Sequence, residues 1–222
     1  MRVLGFDTAT SATTVALDDG GRVHERRDDP HHGSRPRHAS RLLGQIAEVL
    51  AAAGCGMGDV DRVAVGIGPG TFTGLRIGVA TARALALARD IEIVGVSTLK
   101  SLARNADGLV CAVLDARRSE VFAATWDRGE PVFSPAALSP EELAEMLAGL
   151  RKPPLAIGEG AIAFRDVLKE SGALIPDDES HLHRVTAINH CRLGLDARAS
   201  DAHEVLPDYL RLPDAELSRN RP

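Results

Sequence analysis

Five glycines between positions 66 and 78 constrain this chain more than any other feature. The segment reads Gly66-Ile67-Gly68-Pro69-Gly70-Thr71-Phe72-Thr73-Gly74-Leu75-Arg76-Ile77-Gly78. It follows an apolar run with strand character, Arg62 to Ile67, and leads into a helix-forming stretch that ends at about Arg89. Glycine lets the backbone adopt positive φ or come into contact with another group, and a helix start offers free amides to an anion. The spacing fits neither standard phosphate loop: Gly68 does not open a Gly-x-Gly-x-x-Gly, and no Gly-Lys-Ser/Thr follows. The segment can approach another group closely, and the spacing does not make it a phosphate loop.

The helix beyond the loop carries Gly74, Gly78, Ala82 and Ala86 at intervals of four, a smooth stripe on which another backbone can lie. Leu75, Ile77, Val79, Leu85 and Leu87 make it apolar almost all round, so it is buried on most sides. It is either a central core helix or one covered partly by a partner subunit. A second amphipathic helix spans His38 to Ala53, with Leu42, Leu43, Ile46, Val49, Leu50 and Ala53 assigned to one face and Gly54 placed to end it. Composition supports close helix packing: 33 alanines against seven aromatic residues require an aliphatic core with backbones near one another.

Strands are expected at Arg2–Asp7, Thr13–Leu17 and Val23–Arg26, the last two joined by the turn Asp18-Asp19-Gly20-Gly21, and again at Arg62–Ile67 and Ile91–Val96. A loose echo follows. Leu109 to Leu114 ends in Asp115, turns through Ala116-Arg117-Arg118-Ser119 and returns as Glu120 to Trp126, as Val3 to Leu17 turns after Asp7. Leu155 to Gly160 leads into a helical stretch, as Val65 to Gly70 does. The fold class is therefore α/β, with two βββαβα-like halves, each a mixed sheet flanked by helices. They divide at residues 1–100 and 101–222, with the C-terminal segment able to pack back on the first half.

Several classes are excluded. No apolar run approaches the roughly 18 residues of a membrane span, and Asp7 interrupts the N-terminus too early for a secretory signal. Cys55, Cys111 and Cys191 are odd in number and scattered, which points to reduced thiols in a cytoplasmic protein. The net charge is −5, and neither half carries the basic footprint of an autonomous nucleic-acid module.

Chemistry-bearing residues are few. Asp7, Thr8 and Thr10, just past the first strand, could hold a metal–phosphate group or simply satisfy turn amides. His31, His32 and His38 lack metal-ligand spacing, His181 and His183 read as solvated, and no nucleophile elbow occurs. The polar loop 27–37 has no assigned function. Tyr209, in Pro207-Asp208-Tyr209-Leu210-Arg211, is suited to anchoring the C-terminus on the body.

Taken together, Leu4-Gly5-Phe6-Asp7-Thr8-Ala9-Thr10, the Gly68–Gly78 element, Val96-Ser97-Thr98-Leu99, Leu114-Asp115-Ala116-Arg117-Arg118-Ser119-Glu120-Val121-Phe122 and Pro207–Arg211 closely resemble the TsaB (YeaZ) family, in the family's order and over nearly the whole chain. The glycine element is highly specific; the opening Asp-Thr element is shared across the actin, Hsp70 and sugar-kinase superfamily. The resemblance implies two actin-like (ASKHA) subdomains and an accessory, non-catalytic role in transfer of threonylcarbamoyl to the adenosine next to the tRNA anticodon. It implies a catalytic partner, TsaD, whose His-x-x-x-His metal motif is absent from this sequence, and the ATPase TsaE. It also implies that ATP and threonylcarbamoyl-AMP are used by the complex, with no cofactor assigned to this chain, and that tRNA is met through the complex. A homodimer is a further possibility, and no membrane is involved.

The expected partner contact uses Leu42, Leu43, Ile46, Leu75, Gly78, Val79 and Ala82. Val79→Glu or Gly78→Arg is expected to abolish it in a chain that still folds. The competing reading is an ATPase or phosphotransferase in which Asp7, Thr8, Thr10 and Asp115 hold metal and phosphates. A glycoprotease-like peptidase is a third reading, without a metal triad or nucleophile to support it.

Overall fold

The structure is a computed structural model that describes residues 1–30 and 35–211. His31, His32 and the centre of loop 27–37 lie outside the described residues.

The chain opens with an antiparallel meander, β1 (Arg2–Asp7), β2 (Thr13–Asp19) and β3 (Val23–Asp28), followed by helix α1 (His38–Ala53). Strand β4 (Arg62–Gly68), helix α2 (Phe72–Arg89) and strand β5 (Glu92–Ser97) complete a five-stranded sheet in the order β3-β2-β1-β4-β5, with β4 and β5 parallel to β1. Helix α3 (Thr98–Ala103) leads to a second meander, β6 (Leu109–Arg117), β7 (Glu120–Asp127) and β8 (Glu130–Leu138). Helix α4 (Pro140–Ala148) and strand β9 (Leu155–Ile157) follow, giving a four-stranded sheet β8-β7-β6-β9 with β9 parallel to β6. The chain ends with α5 (Glu159–Ala163), α6 (Arg165–Glu170) and α7 (Ala187–Asp196). Each half is thus a mixed sheet built on the same plan, as the echo between Val3–Leu17 and Leu109–Trp126 anticipates.

β1 is buried along Val3–Asp7 because both faces of the first sheet are covered. Leu4, Phe6, Leu17, Val63 and Val65 face α1 and α2. The alternate residues Val3, Ala16 and Ala64 face Ala187 and Cys191 of α7. Residues far along the chain therefore complete the first sheet: α7 lies on β1, β2 and β4, Ser200 bridges Ile93, and the Asp208 N–H donates to the Ile67 carbonyl at 2.7 Å. Arg62 ties α7 down, its guanidinium donating to the carbonyls of Gly194 and Ala197, the latter at 2.9 Å. The division expected at residue 100 falls inside α3, which packs on strands of both sheets.

Local signals account for the helix ends. Gly54 closes α1 with φ of 69°, a left-handed conformation that glycine adopts without a Cβ clash. α4 begins with a capping box, in which the Ser139 hydroxyl accepts from the Glu142 N–H and the Glu142 carboxylate from the Ser139 N–H, with Pro140 in the first turn.

The expected partner contact requires correction. Leu42, Ile46, Leu75, Gly78, Val79 and Ala82 are buried in this chain's own core, where α1 and α2 pack on the first sheet; only Leu43, at 60% exposure, points outward. The stripe Gly74, Gly78, Ala82 and Ala86 likewise faces inward. Its small side chains let α2 lie close to its own sheet rather than to another subunit. Val79→Glu would place a carboxylate with no partner at a site 3% exposed, and Gly78→Arg would drive a side chain into Thr8, whose Oγ1 lies 2.5 Å from where a Cβ would sit. Each substitution should destabilise the fold by about 4 kcal/mol or more, seen as loss of a cooperative thermal transition; a folded variant with near-native melting temperature would contradict this packing.

Candidate functional site

The neighbour that the glycine-rich segment was built to approach is the chain's own turn Asp7–Thr10. A Cβ on Gly66 would sit 1.9 Å from the Asp7 Oδ2, and one on Gly74 would sit 1.9 Å from the Thr8 carbonyl oxygen, so neither position admits a larger residue without moving the turn. Gly70 and Gly78 abut Ala9 and Thr8 in the same way. Two hydrogen bonds lock the contact: the Thr71 N–H donates to the Ala9 carbonyl at 2.7 Å, and the Thr8 hydroxyl donates to the Gly74 carbonyl at 2.7 Å. The two segments are packed backbone to backbone.

Asp7 is 1% exposed and its oxygens are fully engaged. Oδ1 accepts from the Ala9 N–H at 2.6 Å, and Oδ2 accepts from the Thr98 hydroxyl at 2.7 Å and faces the His190 Nε2 at 2.9 Å. On the far side of the ring, Nδ1 lies 3.0 Å from both the Ser101 hydroxyl and the Thr186 carbonyl. Nε2 thus faces the carboxylate at ion-pair distance, and a proton there is the favourable partner of an ionised Asp7. Burial on its own pushes the Asp7 carboxyl up, but the His190 hydrogen bond and charge, with the Ala9 N–H and the Thr98 hydroxyl, outweigh it and hold Asp7 below the usual carboxylate range.

Thr8 and Thr10 are also buried, and of the two readings open for this turn the contacts show Asp7 joining β1 to α3 and α7 while Thr8 bonds to Gly74. Asp115, the matching residue of the second half, is separately occupied. It accepts from the Arg117 N–H at 2.7 Å and pairs with the Arg117 guanidinium at 3.0 Å, in a turn where Arg117, Arg118 and Ser119 have φ of 64°, 56° and 58°.

Ser101, His190 and Asp7 are the residue types of a hydrolase triad, yet Ser101 and His190 are completely buried, and it is the imidazole Nδ1, not Nε2, that meets the serine. No substrate can reach the Ser101 hydroxyl in this arrangement. The thiols of Cys111 and Cys191 are pushed up to about 12 by burial, far from the thiolate form a nucleophile needs. Among the described residues no group of three or more His, Cys, Asp or Glu is placed to hold a metal ion. Sequence reasoning missed His190 and Ser101. The signal was available in Ala187, His190, Cys191 and Gly194, a helical i, i+3, i+4, i+7 face that includes a histidine.

Comparison with known proteins matches this architecture. The family model TsaD, tRNA N6-adenosine threonylcarbamoyltransferase, matches residues 30–173. The tRNA threonylcarbamoyladenosine biosynthesis protein TsaB of Escherichia coli is 34% identical over 224 residues, covering 95% of this chain and 95% of that protein. The chain belongs to the TsaB family. A Pseudomonas aeruginosa structure described as similar to the peptidase YeaZ superposes with a TM-score of 0.81 at 30% identity, covering 95% of this chain and 99% of the other. A ROK hexokinase from Thermus thermophilus, 10% identical with a TM-score of 0.52 over 88% of this chain and 99% of its own, shares the fold alone. The TsaB fold here is thus actin-like (ASKHA). Among the described residues, no helix is long and apolar enough to cross a membrane.

Replacing Asp7 by Asn removes the charge that compensates the buried His190 Nε2–H. The loss should be about 3 kcal/mol at pH 7, read from urea unfolding. Because the folded Asp7 lies below its ordinary value of 3.8, its contribution is complete above that value. It is lost as the pH falls from there through the lower folded value. The wild type should therefore lose stability faster than Asp7→Asn below about pH 4, and parallel acid profiles for the two proteins would exclude this role for Asp7.

Proposed function

We propose that this chain is a non-catalytic subunit in tRNA threonylcarbamoyladenosine synthesis, and that it docks and stabilises the catalytic subunit TsaD through the outward faces of α1 and α2. One observation carries the reading: two adjacent helices on the same side of the sheet expose a strip of small and apolar residues. On α1, Ala39, Leu43, Ala47 and Ala51 follow one another at intervals of four and are all exposed. On α2, Ala80, Ala84, Leu87 and Ala88 are exposed. Leu43 and Leu87 stand out at 60% and 55% exposure, and Glu48 at the edge of the strip is paired with Arg26. Leucines set among alanines give a flat surface on which the paired helices of a related fold can pack closely.

The chemistry of transfer then resides in TsaD, with TsaE as the ATPase, and ATP and threonylcarbamoyl-AMP are handled by the complex in the cytoplasm. Engagement of Asp7, Thr8 and Thr10 by internal partners supports a role without its own cofactor and disfavours the phosphotransferase reading. When TsaD is absent, the same strip pairs two copies of this chain.

Relative to the sequence expectation, the contact moves from the inner to the outer side of the same two helices, and Leu43 is the residue common to both. Leu43→Arg combined with Ala84→Arg should leave the melting temperature within about 2 °C, since both positions are exposed, and should abolish co-elution with TsaD on size exclusion. Retained co-elution of the double variant would remove this surface from the contact.

A further inference from the structure

On the opposite side of the first sheet from α1 and α2, a cleft of about 580 Å³ opens between α3, the turn after β7 and α7. Lys100 and Arg104 of α3, Arg128 of the turn and Arg192 of α7 line it, with Asp107 as the single carboxylate and Trp126 at its floor. All four cations are exposed. Arg128 lies 3.6 Å from Asp127, whereas Lys100, Arg104 and Arg192 have no ion-pair partner among the described residues. In a chain of net charge −5, three separate elements bring four cations to one concavity that a single carboxylate, Asp107, lines with them. A concavity lined by one sign of charge focuses its field and attracts an anion.

We propose that this cleft binds the phosphate backbone of tRNA, so that the chain supplies part of the tRNA surface itself. The proposal rests on the tRNA-modification role above, though not on the helix contact with TsaD. The cations sit on long stems at the rim and arrive from separate elements, which suits phosphates spaced along a strand. A free nucleotide would need a platform for its base, and Trp126, the aromatic residue of the lining, is 8% exposed and packed in the core of the second sheet, with no ring face free for stacking. Because α7 and the α1–α2 pair cover opposite faces of one sheet, tRNA and TsaD can be held at the same time.

The test uses the full chain alone and a fluorescently labelled, unmodified tRNA transcript, with anisotropy read at several salt concentrations. Binding should weaken steeply with salt. Arg104→Gln and Arg192→Gln should each lower affinity roughly threefold and reduce the salt slope by about 1, and the double variant should lose roughly tenfold. Lys152→Gln, exposed but away from the cleft, should bind as wild type. Melting temperatures should be unchanged throughout.

Absence of tRNA binding by the wild type overturns the proposal, as does a double variant that binds like it. Pyrophosphate and AMP are titrated in parallel. If either binds with an affinity that the two arginine variants abolish, and tRNA binding stays intact in those variants, the cleft is a small-anion site and the RNA assignment fails. TsaD is not in the assay, so failure here is distinct from failure of the helix contact, which co-elution measures.

Discussion

The turn after β1 is pressed into the glycine-rich segment, and the rest of the structure depends on that contact. With Cβ positions as near as 1.9 Å to the turn's own atoms, any side chain at Gly66 or Gly74 would force β1 and α2 apart. Close approach then makes the next contacts possible. It buries Asp7 at the end of β1, and a buried carboxylate needs partners. Thr98 at the start of α3 and His190 in the middle of α7 supply them at 2.7 and 2.9 Å. One carboxylate thus holds together the first strand, the connection to the second half and the helix that covers the sheet's far face.

In this fold, shared with a hexokinase, Asp7 is committed to Ala9, Thr98 and His190. The glycine-rich segment and the imidazole close around the aspartate, and its electrostatic capacity is spent on the fold. The same substitution of stability for chemistry is visible at Asp115, whose acceptor capacity goes to the Arg117 N–H and guanidinium. Both aspartates are thus committed to contacts within the chain.

Much of this was legible in the sequence. The strands and helices of the first half follow from apolar periodicity, from the turn at Asp18–Gly21 and from Gly54, and β6, β7 and β9 are legible in the second, whereas β8, α4 and α7 were not placed; the glycine spacing allowed a close approach. The neighbour's identity was not legible, because a glycine reports only that something is near. The sidedness of the two helices was misjudged for a related reason. In α1, Leu42 and Leu43 are adjacent apolar residues 100° apart, of which one is 1% and the other 60% exposed, and in an alanine-rich helix the remaining positions offer little contrast with which to choose. α2 is harder still, since apolar residues surround it. The role of α7 depended on pairing His190 with a residue more than 180 positions away, a constraint that local pattern does not contain.

Net charge is silent about local clusters. A value of −5 averages over the whole surface, whereas a phosphate responds to the field within about a Debye length, roughly 8 Å at physiological salt. Lys100, Arg104 and Arg192 are separated by up to 92 positions in sequence, so no window of the sequence shows them as a basic run. They converge because α7 crosses back over the first sheet beside α3, and that crossing is enforced by the Asp7–His190 contact together with Arg62 on the end of α7. The basic cleft is therefore a consequence of the same buried carboxylate. Weakening that hub would separate the cations as well as loosen the fold, so a defect in tRNA binding caused by a change at Asp7 or His190 would come with a fall in stability, while a change at Arg104 or Arg192 would not.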